Sequence, residues 1–337
     1  MASHDPVGVT RPDSMSHVST GTDALSAATL LGDDLGAFEA ALDASDLGPV
    51  AVVGRPFGGR ETVLDAAERR LGARRIELGP GSDPRAAVEA VGSGPLVVSD
   101  CQHLFARDIG GFDALEAFLG ALAGAESTVV TGWNSYAWSY LSAVEDIEAV
   151  FPTALTLAGL PADRLVELAR RTVDPLPTFR RDDPEESLLA ARRYAVRGRT
   201  VRVPVPDRAA IEARRADRPS PTEAVFERLA AVSGGTPGVA LALLDRCRHD
   251  GEIRPSDVGA PEGDAPPGRQ AAFCLRVVLA SERVRREHLV ERLGERVEWF
   301  LARFARAGVL VRAGDVVRLD PAGVPAAAAI TDRERIL

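Results

Sequence analysis

The residues with the clearest capacity for chemistry lie in the run Gly54–Thr62, GRPFGGRET, directly after the apolar stretch PVAVV. A strand that ends in glycine and leads straight into a helix turns backbone N–H groups toward an anion, and the helix N-terminus adds partial positive charge. Gly54 and Gly59 have the spacing of a phosphate loop, G-x-x-x-x-G-K-[ST], and Gly58, Arg60 and Thr62 complete the candidate anion-binding set. Two positions depart from that pattern. Arg60 stands where the lysine belongs and Glu61 where the hydroxyl belongs. Arginine can grip phosphate oxygens bidentately, but it is bulkier than lysine and differently aimed. A carboxylate beside a triphosphate repels it. Further along, PLVVSDCQHLF places Asp100 at the end of an apolar run, where its carboxylate would hold Mg²⁺ directly or through water. STVVTGWN places Asn134 just past another, where it could orient water near a γ-phosphate. The glycines alone are also compatible with a tight turn that binds nothing.

These residues need a scaffold, and the flanking sequence supplies one. Strands are expected at Val50–Gly54, Arg75–Leu78, Pro95–Ser99, Thr128–Thr131 and Thr153–Leu157. Helices are expected between them at Glu61–Leu71, Pro84–Val91, Phe112–Ala123 and Tyr136–Val144. Short apolar strands between amphipathic helices imply an α/β fold with a parallel sheet covered on both faces. Such sheets bind ligands at the carboxyl ends of their strands, where Gly54, Asp100 and Asn134 all fall. Asp23–Ser45 has helical spacing interrupted at Gly32 and Gly36, and residues 1–22 read as a disordered tail.

The order of elements over about residues 45–250 resembles the AAA+ ATPases and their relatives, the signal-transduction ATPases with numerous domains. The resemblance implies a P-loop NTPase core of five parallel strands, a helical lid, and ATP or ADP with Mg²⁺ held between them. By the same resemblance Gly54, Gly59 and Arg60 match the first motif, Asp100 the second and Asn134 the first sensor. GGTPGVALALL matches the lid segment that carries the second sensor. The departures fall on the chemistry. Cys101 stands where a carboxylate that activates water is expected, and a thiol is a poor general base. Gln102 or His103 could stand in for it, although nothing in the sequence aims them. Gly238 stands where the lid offers an arginine, with Arg246 and Arg248 further along. ATP hydrolysis is therefore not expected, while binding without turnover remains open.

Residues 23–173 form the expected core, 174–220 an insertion or linker rich in arginine and proline, 221–258 the lid and 259–268 a linker. Within the insertion a helix is expected near Glu185–Tyr194, followed by the strand-like RTVRVPVP. From Arg269 onward three helices (RQAAFCLRVVLAS, RREHLVERLG and RVEWFLARFARAG) precede a hairpin, VLVRAGDVVRLD, turning at Ala313-Gly314. That order is a winged helix, over 269–337. This last part carries 13 arginines against 9 acidic residues, whereas the whole chain has a net charge of −9. On the third helix Val297, Phe300, Leu301 and Phe304 form an inward face. Arg296, Trp299, Arg303 and Arg306 form an outward one. A basic stripe on that helix is where such domains read double-stranded DNA, with Arg312 and Arg318 on the wing as further phosphate contacts. A solvated face or a protein-docking face explains it equally well. The cluster WNSYAWSYL, from Trp133 to Tyr140, reads either as packing under the sheet or as an aromatic contact surface.

All 40 basic residues are arginine; the chain has no lysine. Together with an acidic surface this composition resembles proteins of salt-loving archaea, in whose cytoplasm the Debye length would shrink to about 3 Å. A GC-rich genome would have the same effect on arginine usage. No apolar run is long enough to span a bilayer, and Cys101, Cys247 and Cys274 suit neither a disulfide framework nor a zinc site. A cytoplasmic protein, with oligomers possible, is expected. The function read from the sequence is a regulatory nucleotide-binding switch or scaffold with eroded catalytic motifs, read out through the winged helix on DNA or a protein. The alternatives are an active AAA+-like ATPase resembling replication initiators, a nucleotide-free adaptor, or a DNA-binding transcriptional regulator.

Overall fold

The computed structural model describes residues 25–43, 48–108, 110–182, 219–261 and 266–336, with the backbone of 189–196 and 199–206. The expected tail, 1–22, lies outside the described residues. Helices α1 (Ala27–Leu31) and α2 (Leu35–Asp43) are separated at Gly32, as the spacing suggested, whereas Gly36 sits inside α2. The core then alternates: β1 (Val50–Gly54), α3 (Arg60–Leu71), β2 (Arg74–Glu77), α4 (Arg85–Ala90), β3 (Leu96–Ser99), α5 (Asp113–Ala123), β4 (Val129–Asn134), α6 (Ser135–Val144), β5 (Thr153–Thr156) and α7 (Ala162–Thr172).

The five strands form one parallel sheet in the order β2-β3-β4-β1-β5. The three central strands β3, β4 and β1 are buried along their whole length, and only the edge strands β2 and β5 show half-exposed positions. Apolar side chains therefore cover both faces: Val50, Val52 and Val130 pack toward α1–α3, while Ala51, Val53 and Val129 pack toward α5 and α6. This is an α/β fold with one parallel five-stranded sheet covered on both faces, and the glycine loop leaves β1 next to the β5 edge.

After a two-residue strand β6 (Thr178–Phe179), the antiparallel hairpin β7 (Leu189–Val196) and β8 (Arg199–Pro206) follows. The helix expected near Glu185–Tyr194 is corrected here. Its first part lies outside the described residues, and from Leu189 the backbone pairs as strand with 199–206. The helices expected as the lid are α8 (Pro221–Ser233) and α9 (Pro237–Arg246). Ser220 caps α8 in a capping box with Glu223, and Pro221 takes the first helical position, where its missing N–H costs nothing. Strand β9 (Glu252–Ile253) pairs in parallel with β6.

The C-terminal region contains α10 (Arg269–Ser281), β10 (Arg283–Arg285), α11 (Arg286–Leu293), α12 (Arg296–Arg306), β11 (Leu310–Ala313), β12 (Val316–Leu319) and α13 (Val324–Arg333). The hairpin turns at Gly314-Asp315, one residue later than expected, because Ala313 pairs with Val316. Strand β10 joins it to make a three-stranded antiparallel sheet, and α13 closes the chain. Neither addition was anticipated. The lid and this region share one apolar core, in which Phe226, Leu229 and Leu243 pack with Leu275, Phe304 and Ala327. Leu275 is fully buried there. Leu275→Ala should cost about 2–5 kcal/mol. Hydrogen exchange should show α8, α9 and α10 losing protection together; loss confined to α10 would contradict a common core.

Candidate functional site

The site is organised by Arg60, the first residue of α3, which is only 5% exposed. Gly59 caps that helix with φ 89, a conformation that favours glycine. The arginine stem folds back along the end of β1, so that a Cβ on Gly54 would lie 2.7 Å from Arg60 Cγ. Arg60 Nη1 donates to Gly54 O at 3.0 Å, while Nη2 donates to Asp100 Oδ1 at 3.1 Å and to Glu282 Oε1 at 2.7 Å. Burial alone would lower the pKa of this guanidinium, but Glu282, Asp100 and Glu61 outweigh it and hold it above the ordinary arginine value.

Asp100 follows β3 with φ 56, a left-handed conformation that aspartate tolerates. Both of its oxygens are taken. Oδ1 accepts from Arg60 and, at 2.9 Å, from Gln102 Nε2; Oδ2 accepts from Arg283 Nη2 at 2.6 Å. Burial would raise its pKa, yet Arg60, Arg283 and His103 together hold the carboxylate below its usual range. Asn134 ends β4 rather than lying beyond it, and is fully buried. Its Oδ1 accepts from Tyr136 N at 2.8 Å, capping α6. Its Nδ2 donates to Leu279 O at 3.0 Å and to Glu282 Oε1 at 2.9 Å. Gln102 Oε1 accepts from Asn134 N at 3.2 Å, linking the two motif residues.

The expected set Gly54, Arg60, Asp100 and Asn134 thus converges at the carboxyl ends of the strands, and its side-chain donors and acceptors are paired within the protein, save the buried Arg60 Nε, which has no partner. Leu279, Glu282 and Arg283 supply the partners, and sequence reasoning missed all three; they lie more than a hundred residues from the motifs and carry no local signal. ATP and Mg²⁺, which the motifs imply, do not fit this arrangement. Asp100 faces two guanidiniums instead of an open metal position, and the Glu282 carboxylate lies between Arg60 and Asn134. The Gly58 amide bonds to Arg55 O at 2.9 Å and the Thr62 amide to Gly59 O at 3.1 Å. Glu61 turns away to Arg75, which also pairs with Asp65 and Glu68.

The lid rests directly on the loop. The Gly238 amide donates to Phe57 O at 3.1 Å, and the Arg55 guanidinium lies against Gly234. Arg246 instead reaches Gly308 O and Arg248 reaches Pro175 O. Neither attends the loop. Burial pushes the Cys101 thiol well above its ordinary range, with its Sγ directed to Val98 O, so it cannot serve as a base. Burial also pushes His103 down to about 4, leaving it neutral near pH 7. A cavity of about 760 Å³ lies beside the site, between the loop after β2 and the strand β10, but no residue of 54–62 lines it. Three of its arginines are paired: Arg283 with Asp100, Arg285 with Glu287 and Arg292 with Asp108.

On α12 the inward residues Val297, Phe300, Leu301 and Phe304 are buried as expected. Outward, Arg296 and Arg306 are exposed and Trp299 is 48% exposed, with the Arg303 guanidinium 5.1 Å from its ring centroid. Arg312 pairs with Glu298, which also accepts from Arg286 at 2.8 Å. Arg318 is half-buried on β12, opposite Arg283 on β10. The aromatic run divides. Trp133 and Trp138 are buried against Phe151, whereas Tyr140 stacks on Phe105 beneath Arg107.

No protein-family profile and no curated protein matches the sequence. Solved structures of similar shape include the RuvB Holliday junction branch migration motor of Thermotoga maritima, 15% identical, covering 89% of this chain and 95% of that one at a TM-score of 0.40. The ORC2 protein of Aeropyrum pernix is 11% identical over 90% and 94% at 0.39. A Walker-type ATPase of Pyrococcus abyssi is 13% identical over 92% and 100%, also at 0.39. Likeness at this level supports no functional statement about this chain. Among the described residues no helix is long and apolar enough to cross a membrane, and no cluster of three metal-ligating side chains occurs.

The depressed His103 pKa has a definite sign. Between its folded value of about 4 and an unfolded value of about 6.5, the unfolded chain binds more protons, so stability falls as pH falls through that window. From pH 7 to pH 4.5 this residue should account for a loss on the order of 2 kcal/mol. Urea midpoints measured across the range should show a shallower slope in His103→Gln; an unchanged slope would contradict the assignment.

Proposed function

We propose that this protein is a non-hydrolysing scaffold on an AAA+-type core, with its C-terminal region, 269–337, a winged helix held against the former catalytic face. The observation that carries this reading is the triple commitment of Arg60 to Gly54 O, Asp100 and Glu282. In a nucleotide-driven protein the side chain at this position would be kept for phosphate. Here it also secures Glu282, 222 positions away. The switch form of the reading needs nucleotide between loop and lid, and the Gly238–Phe57 contact speaks against it. Cys101 and His103 offer no replacement base for an active ATPase.

The outward face of α12 is the docking surface of this scaffold. An exposed tryptophan with an arginine stacked on it is the composition of a protein-binding hot spot. Glu298, set among Arg286 and Arg312, lowers the positive potential that duplex binding would need. Double-stranded DNA is the second reading, favoured by exposed Arg296 and Arg306 on the same face.

Neither ATP nor ADP with Mg²⁺ should raise the melting temperature, with or without molar potassium chloride. Ligand at 100 times its Kd would add about 2.7 kcal/mol, so binding would be plainly visible. A clear rise, or phosphate release that disappears in Asp100→Ala, would defeat the scaffold reading. A duplex titration separates the two docking readings. Salt-dependent binding that Arg303→Glu weakens without loss of fold would favour DNA, and its absence a protein partner.

A further inference from the structure

Glu282 is the residue after α10 and has φ 60 and ψ −42, a conformation far easier for glycine. Its amide closes the helix on Val278 O at 2.8 Å, a task that glycine at a helix end performs without strain. A non-glycine residue held in such a conformation usually serves some local purpose. The purpose is visible in its side chain. Arg60 Nη2, from the first residue of α3, and Asn134 Nδ2, from the last residue of β4, converge on the single oxygen Oε1 at 2.7 Å and 2.9 Å.

Both donors have partners in the core, and Asn134 Nδ2 also donates to Leu279 O of α10 at 3.0 Å. Gly54 O and Asp100 hold the guanidinium, while Tyr136 N and Gln102 hold Asn134. The side chains of Arg60, Asp100 and Glu282 are only 6%, 14% and 16% exposed. Arg60 and Arg283 face Asp100 and Glu282, with the more exposed Glu77 also 3.4 Å from Arg283; loss of Glu282 leaves the buried Arg60 with Asp100 as its one paired carboxylate. Preset donors around a buried guanidinium that lacks one of its carboxylates are what an oxyanion needs.

Resting on the scaffold reading, we propose that Arg60 and Asn134 form an oxyanion site of the core whose resident is the chain's own Glu282 carboxylate, and that a free carboxylate or phosphate takes the site when Glu282 is removed. The α10–β10 junction is then docked by a tethered ligand, and an anion from solution and the docked Glu282 exclude each other at this position.

The test compares the full chain with Glu282→Gly and Glu282→Gln by thermal melting in sodium chloride, sodium acetate and sodium phosphate at equal ionic strength. In chloride, Glu282→Gly should melt lower than the parent although it relieves backbone strain. Acetate or phosphate should recover at least half of that loss, while the parent melts alike in all three salts once their general effects are subtracted. Glu282→Gln keeps an acceptor oxygen without the charge, and should show a smaller loss and a smaller selective recovery. The acetate and phosphate arms distinguish a carboxylate site from a phosphate site. A higher melting temperature for Glu282→Gly would mean that the residue is merely a strained helix end. A loss that neither anion mends beyond its effect on the parent overturns the proposal equally. If the glycine variant does not fold, the glutamine variant decides by the same comparison. A response of the parent to ATP would defeat the scaffold reading yet leave the selective recovery of the variants as a separate result.

Discussion

A guanidinium withdrawn from water has to keep its carboxylates, and Arg60 imposes that constraint on the whole molecule. Its partners end three different elements: Gly54 ends β1, Asp100 follows β3, and Glu282 follows α10. A buried ion pair contributes little net stability against a well-packed apolar alternative, because desolvation offsets much of the attraction. Breaking one is a different matter, costing about 3–5 kcal/mol through the charge left alone. The network therefore acts mainly on specificity. It ties the ends of β1, β3 and α10 to one another.

Apolar packing brings the same region to the same place by another route. Because Leu275 and Phe304 share their core with Phe226 and Leu243 of the lid, the C-terminal helices cannot leave without exposing lid side chains. The lid in turn touches the glycine loop through Gly238 and Phe57. Loop, lid and C-terminal region form a closed circuit of contacts, and the hinge that a nucleotide-driven core would work is occupied by protein. Such a body suits a fixed platform, and the exposed Trp299 face is carried outward on it.

Much of this was legible in the residues. The expected strands Val50–Gly54, Pro95–Ser99 and Thr128–Thr131 are short and largely apolar, alternate with amphipathic helices, and so suit a parallel sheet covered on both faces. Motif residues at the ends of those runs had to meet, and Gly54, Arg60, Asp100 and Asn134 do. Some elements escaped. Residues 189–194 are rich in alanine and arginine, good helix formers, yet cross-strand pairing with 199–206 overrides that preference. Helix α7 has Leu165 and Leu168 at plain helical spacing and was readable but passed over. Strand β10 is three residues long and exists only because the 316–319 strand lies beside it.

The sequence by itself determined the alternation of strands and helices, the position of the glycine loop, the order of helices and hairpin after Arg269, and the presence of Arg60, Glu61 and Cys101 at their positions. Those properties are local, set by periodicity and residue type. What Arg60, Asp100 and Asn134 bind was decided only by tertiary structure. Hydrogen-bonding groups have no memory of sequence distance. Glu282, which belongs to no sequence motif, became the partner of two core residues because helix α10 ends where the sheet's strands do.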